Sequence, residues 1–326
     1  MKTPTKTLKM MLKLSLVAAA ASIAAPLSAA SAAPAAPPPT AAPTSTAKTS
    51  GRVTLKGVDY HYEVRGQGDP LLLLHGGLGS SDMFEPLLPI LGPGRQLIAV
   101  DLQGHGRSSL GNRPIRCEAI ADDVAALLKR LGRAKVDVLG YSFGGCVALR
   151  LAVQHPDVVR RLALVSAPFS SDGWYPEMRP LQAQVSAALF PMMKETPMYK
   201  SYVAIAPRPD QFPRLLDAMG ESMRQSYDWS VDVAKLKMPV MLVFGDADMV
   251  RPEHQIKFYQ LLGGGLKDAG WNRESMPRNR LAILPDLTHY DIFASPRLAE
   301  TVRPFLDGQS GARSWAEVVK AQAQNK

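Results

Sequence analysis

Gly140-Tyr141-Ser142-Phe143-Gly144 closes an apolar run, Lys135 to Leu139, and opens a small-residue helix, Gly144 to Gln154. A serine held between a strand and a helix occupies so sharp a turn that its hydroxyl is pushed out above the sheet, and only glycine fits on either side of it. The bare pattern G-x-S-x-G is weak, because glycine and serine are common. The strand before it and the helix after it make it specific, and they place a candidate nucleophile at the carboxyl end of a buried strand.

Outward from this turn, apolar runs and helical patterns take turns along the chain. The runs at Leu71 to Leu74, Gln96 to Val100, Val136 to Leu139, Leu162 to Val165, Val240 to Phe244 and Leu281 to Leu284 are continuous rather than alternating. Strands of that kind are covered on both faces, as in a parallel sheet between helices. Helical patterns fall near Asp82 to Leu91, Glu118 to Leu131, Gly144 to His155, Glu253 to Leu262 and Ser295 to Leu306, and Arg52 to Lys56 with Tyr60 to Arg65 alternate like a hairpin around Gly57. The fold class is therefore α/β, a mostly parallel sheet flanked by helices.

One interval breaks the rhythm. Between Val165 and Val240 lie over seventy residues, rich in Met and aromatics, where a crossover needs one helix. This predicts a mainly helical cap over 168–235, inserted into a core formed by 51–167 and 236–307. Such side chains line adaptable apolar pockets, and they equally hold a cap onto its base. Gly263 to Arg280 reads as a long surface loop, and the tail 308–326 as either a docked helix or nothing ordered.

The first 32 residues differ in kind: Lys2, Lys6, Lys9 and Lys13 with no acid among them, an apolar stretch from Leu14 to Ala25, then Ala30-Ser31-Ala32. These are the parts of a secretory signal, with cleavage expected near Ala32 and a periplasmic or secreted product. A membrane anchor would need a longer apolar stretch to cross about 30 Å of hydrocarbon. Residues 33–50, built from Ala, Pro, Thr and Ser, read as a disordered tether. Without the four leader lysines the net charge falls from +9 to +5. The remaining Lys and Arg are scattered, so neither a nucleic-acid partner nor stable membrane insertion is expected. Cys117 and Cys146 could join in one disulfide after export, and the sequence leaves this open, as it leaves the oligomeric state.

A serine hydroxyl is a poor nucleophile unless a base takes its proton and a third group orients that base. Of six histidines, His289 follows the run Leu281 to Leu284 and the loop Pro285 to Thr288, at the carboxyl end of the last strand, where open α/β sheets build their sites. His61, His155 and His254 read as structural or exposed, and His75 as a residue that orders its own loop. For the acid, Val240 to Phe244 runs into Gly245-Asp246-Ala247-Asp248. Asp248 is favoured, with Asp246 as the competitor in a turn-capping role. An oxyanion needs preorganised NH donors. Phe143 NH is placed by the elbow, and Gly77 NH, with Leu78 NH next, by the loop His75-Gly76-Gly77-Leu78-Gly79. Asp101 to Ser108, punctuated by Gly104 and Gly106, reads as a structural turn bracing the site.

Taken in order, His75-Gly76-Gly77, Asp101 to Ser108 as D-x-x-G-x-G-x-S, Gly140 to Gly145, Gly245 to Asp248 and Thr288-His289 resemble the α/β-hydrolase superfamily of capped, esterase-like enzymes, over about Arg52 to Leu306. The resemblance implies an eight-stranded sheet with an antiparallel first pair, a cap after the sixth strand, and a catalytic trio of Ser142, Asp248 and His289. It implies no metal and no organic cofactor. Serine at the elbow disfavours the dehalogenase and epoxide hydrolase branches, which use a carboxylate nucleophile.

A carboxylic ester hydrolase acting on a small apolar acyl substrate is the leading expectation. A lactonase, a proline-releasing aminopeptidase and a carbon-carbon bond hydrolase are alternatives on the same trio. The aminopeptidase would use cap carboxylates such as Glu177, Glu195, Asp210, Asp217 and Glu221 to hold an ammonium. A rival of another class is a low-turnover ligand-binding protein of the same shape.

Overall fold

The computed structural model describes residues 48–309 and 312–324. The expected leader, and the tether up to residue 47, lie outside the described residues. The tether's expected end at residue 50 is corrected: strand β1 (Lys48–Leu55) already begins at Lys48. Thr49 and Ser50 pair with Val64 and Glu63, and Lys48 Nζ lies 2.6 Å from the buried Glu63 carboxylate. Side chains that look like linker thus serve as an edge strand, because the pairing is made by backbone groups.

β1 turns into β2 (Val58–Gly66) through Lys56 and Gly57, both left-handed at φ 44 and φ 80, a pair of conformations that suits the twist of a two-residue hairpin. The other strands are β3 (Asp69–Leu74), β4 (Arg95–Val100), β5 (Val136–Tyr141), β6 (Val159–Val165), β7 (Val240–Ala247) and β8 (Arg280–Thr288). They form one eight-stranded sheet in the order β1-β2-β4-β3-β5-β6-β7-β8. Only β2 runs against its neighbours; β4 through β8, with β3 between β4 and β5, are parallel.

The helices are α1 (Leu88–Leu91), α2 (Cys117–Arg130), α3 (Phe143–Gln154), α4 (Met178–Ala183), α5 (Phe190–Met193), α6 (Pro197–Ile205), α7 (Phe212–Met223), α8 (Ser230–Val233), α9 (Pro252–Leu261), α10 (Pro296–Leu306) and α11 (Trp315–Gln324). Leu72, Leu74, Val138, Leu162, Leu164 and Leu242 face a core shared with α2 and α3, while Leu71, Leu73, Leu139, Val165 and Val243 face a second core shared with α1 and α10. Leu72, paired with both Ile98 and Val138, shows why the runs are unbroken: its two neighbours cover its edges and helices cover both faces. Burying each such leucine contributes about 2 kcal/mol.

The insertion after β6 is mainly helical and contains α4 to α8. Phe212, Leu215, Leu216 and Met219 of α7 repeat at helical spacing and are buried, so this helix sits face down. Around Phe212 pack Tyr199 at 4.9 Å, Tyr202 at 5.0 Å and Phe190 at 6.3 Å between ring centres, which gives these aromatics a structural role. Arg214 donates to the Gly111 carbonyl at 2.8 Å, and Arg116 pairs with Glu221 at 3.0 Å across the seam between cap and core. The segment 263–279 is irregular, as expected. The tail carries helix α11, with Trp315 62% exposed.

Candidate active site

Ser142 joins β5 to α3 with φ 52 and ψ −117, a conformation that costs on the order of 1–3 kcal/mol and persists only where the surroundings enforce it. The enforcement is close packing. A Cβ at Gly144 would collide with the Leu74 and His75 carbonyl oxygens, and one at Gly140 with the Gly144 carbonyl and the Ala148 methyl. Helix α3 therefore presses against β3 and β5, and the serine is forced upward at its amino end.

His289 follows β8 and brings Nε2 to 3.0 Å from Ser142 Oγ. Its Nδ1 lies 3.2 Å from Asp248 Oδ1. Asp248 stands just past β7 and is buried. Its Oδ1 also accepts from Val250 NH at 3.0 Å, and its Oδ2 accepts from Gly245 NH at 3.3 Å and from the Ser166 hydroxyl. Burial pushes the Asp248 carboxyl up, but the hydrogen bond and charge of His289, with the Ser166 and Val250 donors, outweigh it and hold it below the usual carboxylate range. An ionised carboxylate there fixes the imidazole with its proton on Nδ1 and its lone pair toward the serine. The competitor Asp246 is exposed and accepts from Leu287 NH at 3.3 Å, a turn-bracing role.

Gly77 and Phe143 lie together: a Cβ at Gly77 would sit 3.8 Å from that of Phe143. Neither backbone NH donates to a protein group among the described residues. The backbone of the loop after β3 is shaped by His75, which is fully buried. Its Nδ1 is 2.7 Å from the Gly76 carbonyl and its Nε2 accepts from Leu102 NH at 2.9 Å, so both ring nitrogens are committed to holding the loop. Burial pulls its pKa down, which keeps it neutral. Leu78 follows with φ 58, and Gly79 NH donates back to the Gly76 carbonyl at 3.3 Å.

The Asp101 to Ser108 turn braces these parts. The Asp101 carboxylate accepts from Ser81 NH and Arg107 NH, at 2.7 and 2.8 Å, and the Ser108 hydroxyl donates to the Asp101 carbonyl at 2.6 Å. His105 stacks on the Phe143 ring at 5.8 Å, and burial lowers its pKa to about 3. The remaining histidines lie away from Ser142. His61 faces Asp101 at 3.4 Å, His155 meets Asp122 at 2.8 Å, and His254 stacks on Phe169 at 4.0 Å while accepting from its NH.

Two of the Met and aromatic residues of the cap stand beside the trio. Met219, 1% exposed, puts its methyl 3.1 Å from where a Gly77 Cβ would stand, and the Trp174 indole meets His289 edge-on at 5.9 Å. Two core residues were missed. Ser166, at the end of β6 with φ 52, grips the Asp248 carboxylate, and Tyr141, inside the elbow motif itself, donates to the His289 carbonyl at 2.6 Å. A polar residue directly after the apolar run Leu162 to Val165 was the available signal for Ser166. Cys117 and Cys146 are free thiols, and Cys146 Sγ lies 3.8 Å from the Tyr227 hydroxyl. A separate cavity of about 230 Å³ at the cap seam, lined by Ser109, Asn112, Tyr202, Arg208 and Arg214 among others, touches none of the trio.

Residues 69–200 match the family model for the alpha/beta hydrolase fold. The chain is 30% identical over 257 residues to a pimeloyl-acyl-carrier protein methyl ester esterase of Neisseria meningitidis serogroup B, covering 72% of this chain and 92% of that protein. Among solved structures, a thermophilic esterase from Thermogutta terrifontis superposes with a TM-score of 0.61 at 21% identity, over 80% of this chain and 98% of its own. An enol-lactonase from Burkholderia xenovorans superposes with a TM-score of 0.59 at 22% identity, over 79% of this chain and 100% of its own. The two structures share the fold, and the sequence match to the esterase extends across sheet, elbow and cap alike: this chain belongs to the α/β-hydrolase family.

Proposed function

We propose that the protein hydrolyses carboxylic esters through an acyl-enzyme on Ser142. His289 Nε2 takes the hydroxyl proton as Ser142 Oγ attacks the acyl carbon, and the developing oxyanion is held by the NH groups of Gly77 and Phe143. The alcohol leaves with the proton from His289. Water, deprotonated by the same imidazole, then attacks the acyl carbon and releases the carboxylic acid and the free serine. Asp248 holds the imidazole tautomer and stabilises the imidazolium formed twice per cycle. No step needs a metal or an organic cofactor.

The observation that carries this reading is the continuous contact from Ser142 Oγ through His289, 3.0 Å on one side and 3.2 Å to Asp248 on the other. The esterase relative supports an ester as substrate, and Met219, Trp174 and Phe143 around the site support an apolar acyl group. Of the five cap carboxylates invoked for the aminopeptidase alternative, four are already engaged, and Glu177 alone stands exposed without a hydrogen-bond or ion-pair partner among the described residues. Glu195 pairs with Lys200, Asp210 with Arg208 and Glu221 with Arg116, and Asp217 accepts from Ala187 NH. The test is a panel of esters of graded acyl length, a lactone and a prolyl amide. Ser142→Ala is expected to lose at least about a thousandfold in turnover while keeping its fold. Parental turnover in that variant would refute the mechanism.

A further inference from the structure

We infer that Tyr141, the residue before the nucleophile, is a positioning residue that ties the histidine loop to the elbow and keeps His289 within reach of Ser142; the inference rests on the serine mechanism proposed above. Tyr141 ends β5 on the face opposite α3 and is 4% exposed. Two separate parts of the site meet its side chain, and a core residue packs behind it. Its hydroxyl donates to the His289 carbonyl at 2.6 Å, and its ring lies 5.4 Å from the imidazole, tilted by 41°. On the oxyanion-loop side, a Cβ at Gly76 would come within 2.5 Å of its ring. Beyond the imidazole, Phe293 packs on the same ring at 5.1 Å.

This placement matters because the hydrogen bonds that hold the imidazole side chain are those of its two nitrogens, to Ser142 and Asp248. The Ser142 side of this hold changes during turnover: Ser142 Oγ becomes acylated, and the proton moves on and off Nε2. The Tyr141 bond is to the backbone of His289 and does not take part in that exchange. It fixes the origin of the side chain while the reacting atoms move, which is what a reaction sensitive to displacements of about 1 Å requires. Burial pushes the Tyr141 phenol well above its ordinary pKa, which keeps the hydroxyl protonated as a donor around neutral pH. The choice of residue is then explained by reach. From the position next to the serine, a phenol spans to the His289 carbonyl, while the ring fills the gap beside Gly76.

The experiment compares Tyr141→Phe, which removes only the hydroxyl, with Phe293→Leu, which loosens the same cluster and leaves the hydroxyl bond in place. Turnover and KM on an activated ester, the rate of covalent labelling by a fluorophosphonate, and the melting temperature are read for each. Tyr141→Phe is expected to lose about tenfold in kcat and in labelling rate alike, with KM changed by less than about twofold. Phe293→Leu is expected to keep kcat within about twofold even where its melting temperature falls. If Tyr141→Phe keeps both rates, whatever its melting temperature, Tyr141 is only a core residue and the inference is overturned. Ser142→Ala runs beside them. Parental activity there would overturn the serine mechanism itself, whereas its loss together with full activity in Tyr141→Phe overturns the positioning role alone.

Discussion

Mild acid should destabilise this protein well before its carboxylates titrate. His254 and His105 are buried and neutral, with pKa values lowered to about 4 and about 3. Burial is the largest cause for both. For His254 the nearby Arg251 and Lys257 add to it, against Asp172 and Asp228; for His105 the neighbouring His75 adds to it. In the unfolded chain each titrates near 6.5. Between that value and the folded one, the unfolded state binds a proton that the native state refuses, so stability rises with pH through the window and is lost as pH falls through it. From pH 6.5 to pH 5 each group costs about 1.4 kcal/mol per pH unit, about 2 kcal/mol apiece and about 4 kcal/mol for the pair. His75, lowered by burial as well, acts in the same direction. Asp248 and Asp101 have lowered values, and stability from them is lost only as pH falls below the unfolded carboxylate value of about 3.9, outside the window. Against a total of about 5–15 kcal/mol, the expected fall in melting temperature from pH 7 to pH 5 is about 10 °C. Scanning calorimetry at matched ionic strength measures it. His254→Gln, whose amide oxygen can still accept from Phe169 NH, should remove about a third to a half of the pH slope, since it deletes one of the buried neutral histidines that share it. A melting temperature that is flat between pH 7 and pH 5 would refute the assignment of these histidines as buried neutral groups.

Two further outcomes are expected at the site. Ser166→Ala deletes a donor to the Asp248 carboxylate and should lower kcat by about tenfold, with a smaller effect on KM; steady-state kinetics on one activated ester decides it. Met219→Ala removes the thioether that stands over Gly77 and should shift the preferred acyl length upward by about two carbons, read as the ratio of kcat/KM values along the graded ester series. An unchanged profile would place Met219 in the cap's packing alone.

The strands were legible because a strand covered on both faces must be apolar at every position, and Leu71 to Leu74 meets that condition with adjacent residues assigned to opposite cores. The trio was legible because each member ends or follows such a run, and because the elbow is enforced by local crowding at Gly140 and Gly144. What escaped depends on contacts between distant segments. Lys48 to Ser50 pair through backbone atoms that carry no compositional signal. Ser166 and Tyr141 act on residues 82 and 148 positions away, and a polar residue after an apolar run, the one local signal, does not name the partner. For Trp174 and Met219, a helical cap rich in apolar residues gives no means of separating those that face the core from those that face the serine.

The sheet order explains why those hidden contacts are needed. Parallel strands deliver their carboxyl ends to one edge, and β3, β5, β6, β7 and β8 deliver in turn the Gly77 loop, Ser142, Ser166, Asp248 and His289. Ser142 and the oxyanion loop come from adjacent strands, so neighbouring backbones fix their spacing. His289 comes from β8, three strands from β5, a lateral distance of roughly 14 Å at the usual strand spacing. The end of β8 shortens that distance, since Thr288 pairs with Ala247 of β7 past a register shift at Gly245, and His289, one residue on, covers the rest with its side chain. Asp248, from β7, restrains the imidazole partway along the path, and is itself held by Ser166 from β6. Tyr141, from β5, restrains the His289 backbone at the far end. The serine-histidine contact is thus braced from β7 and β5 directly and from β6 through Ser166 and Asp248, and its precision depends on residues beyond the two that form it.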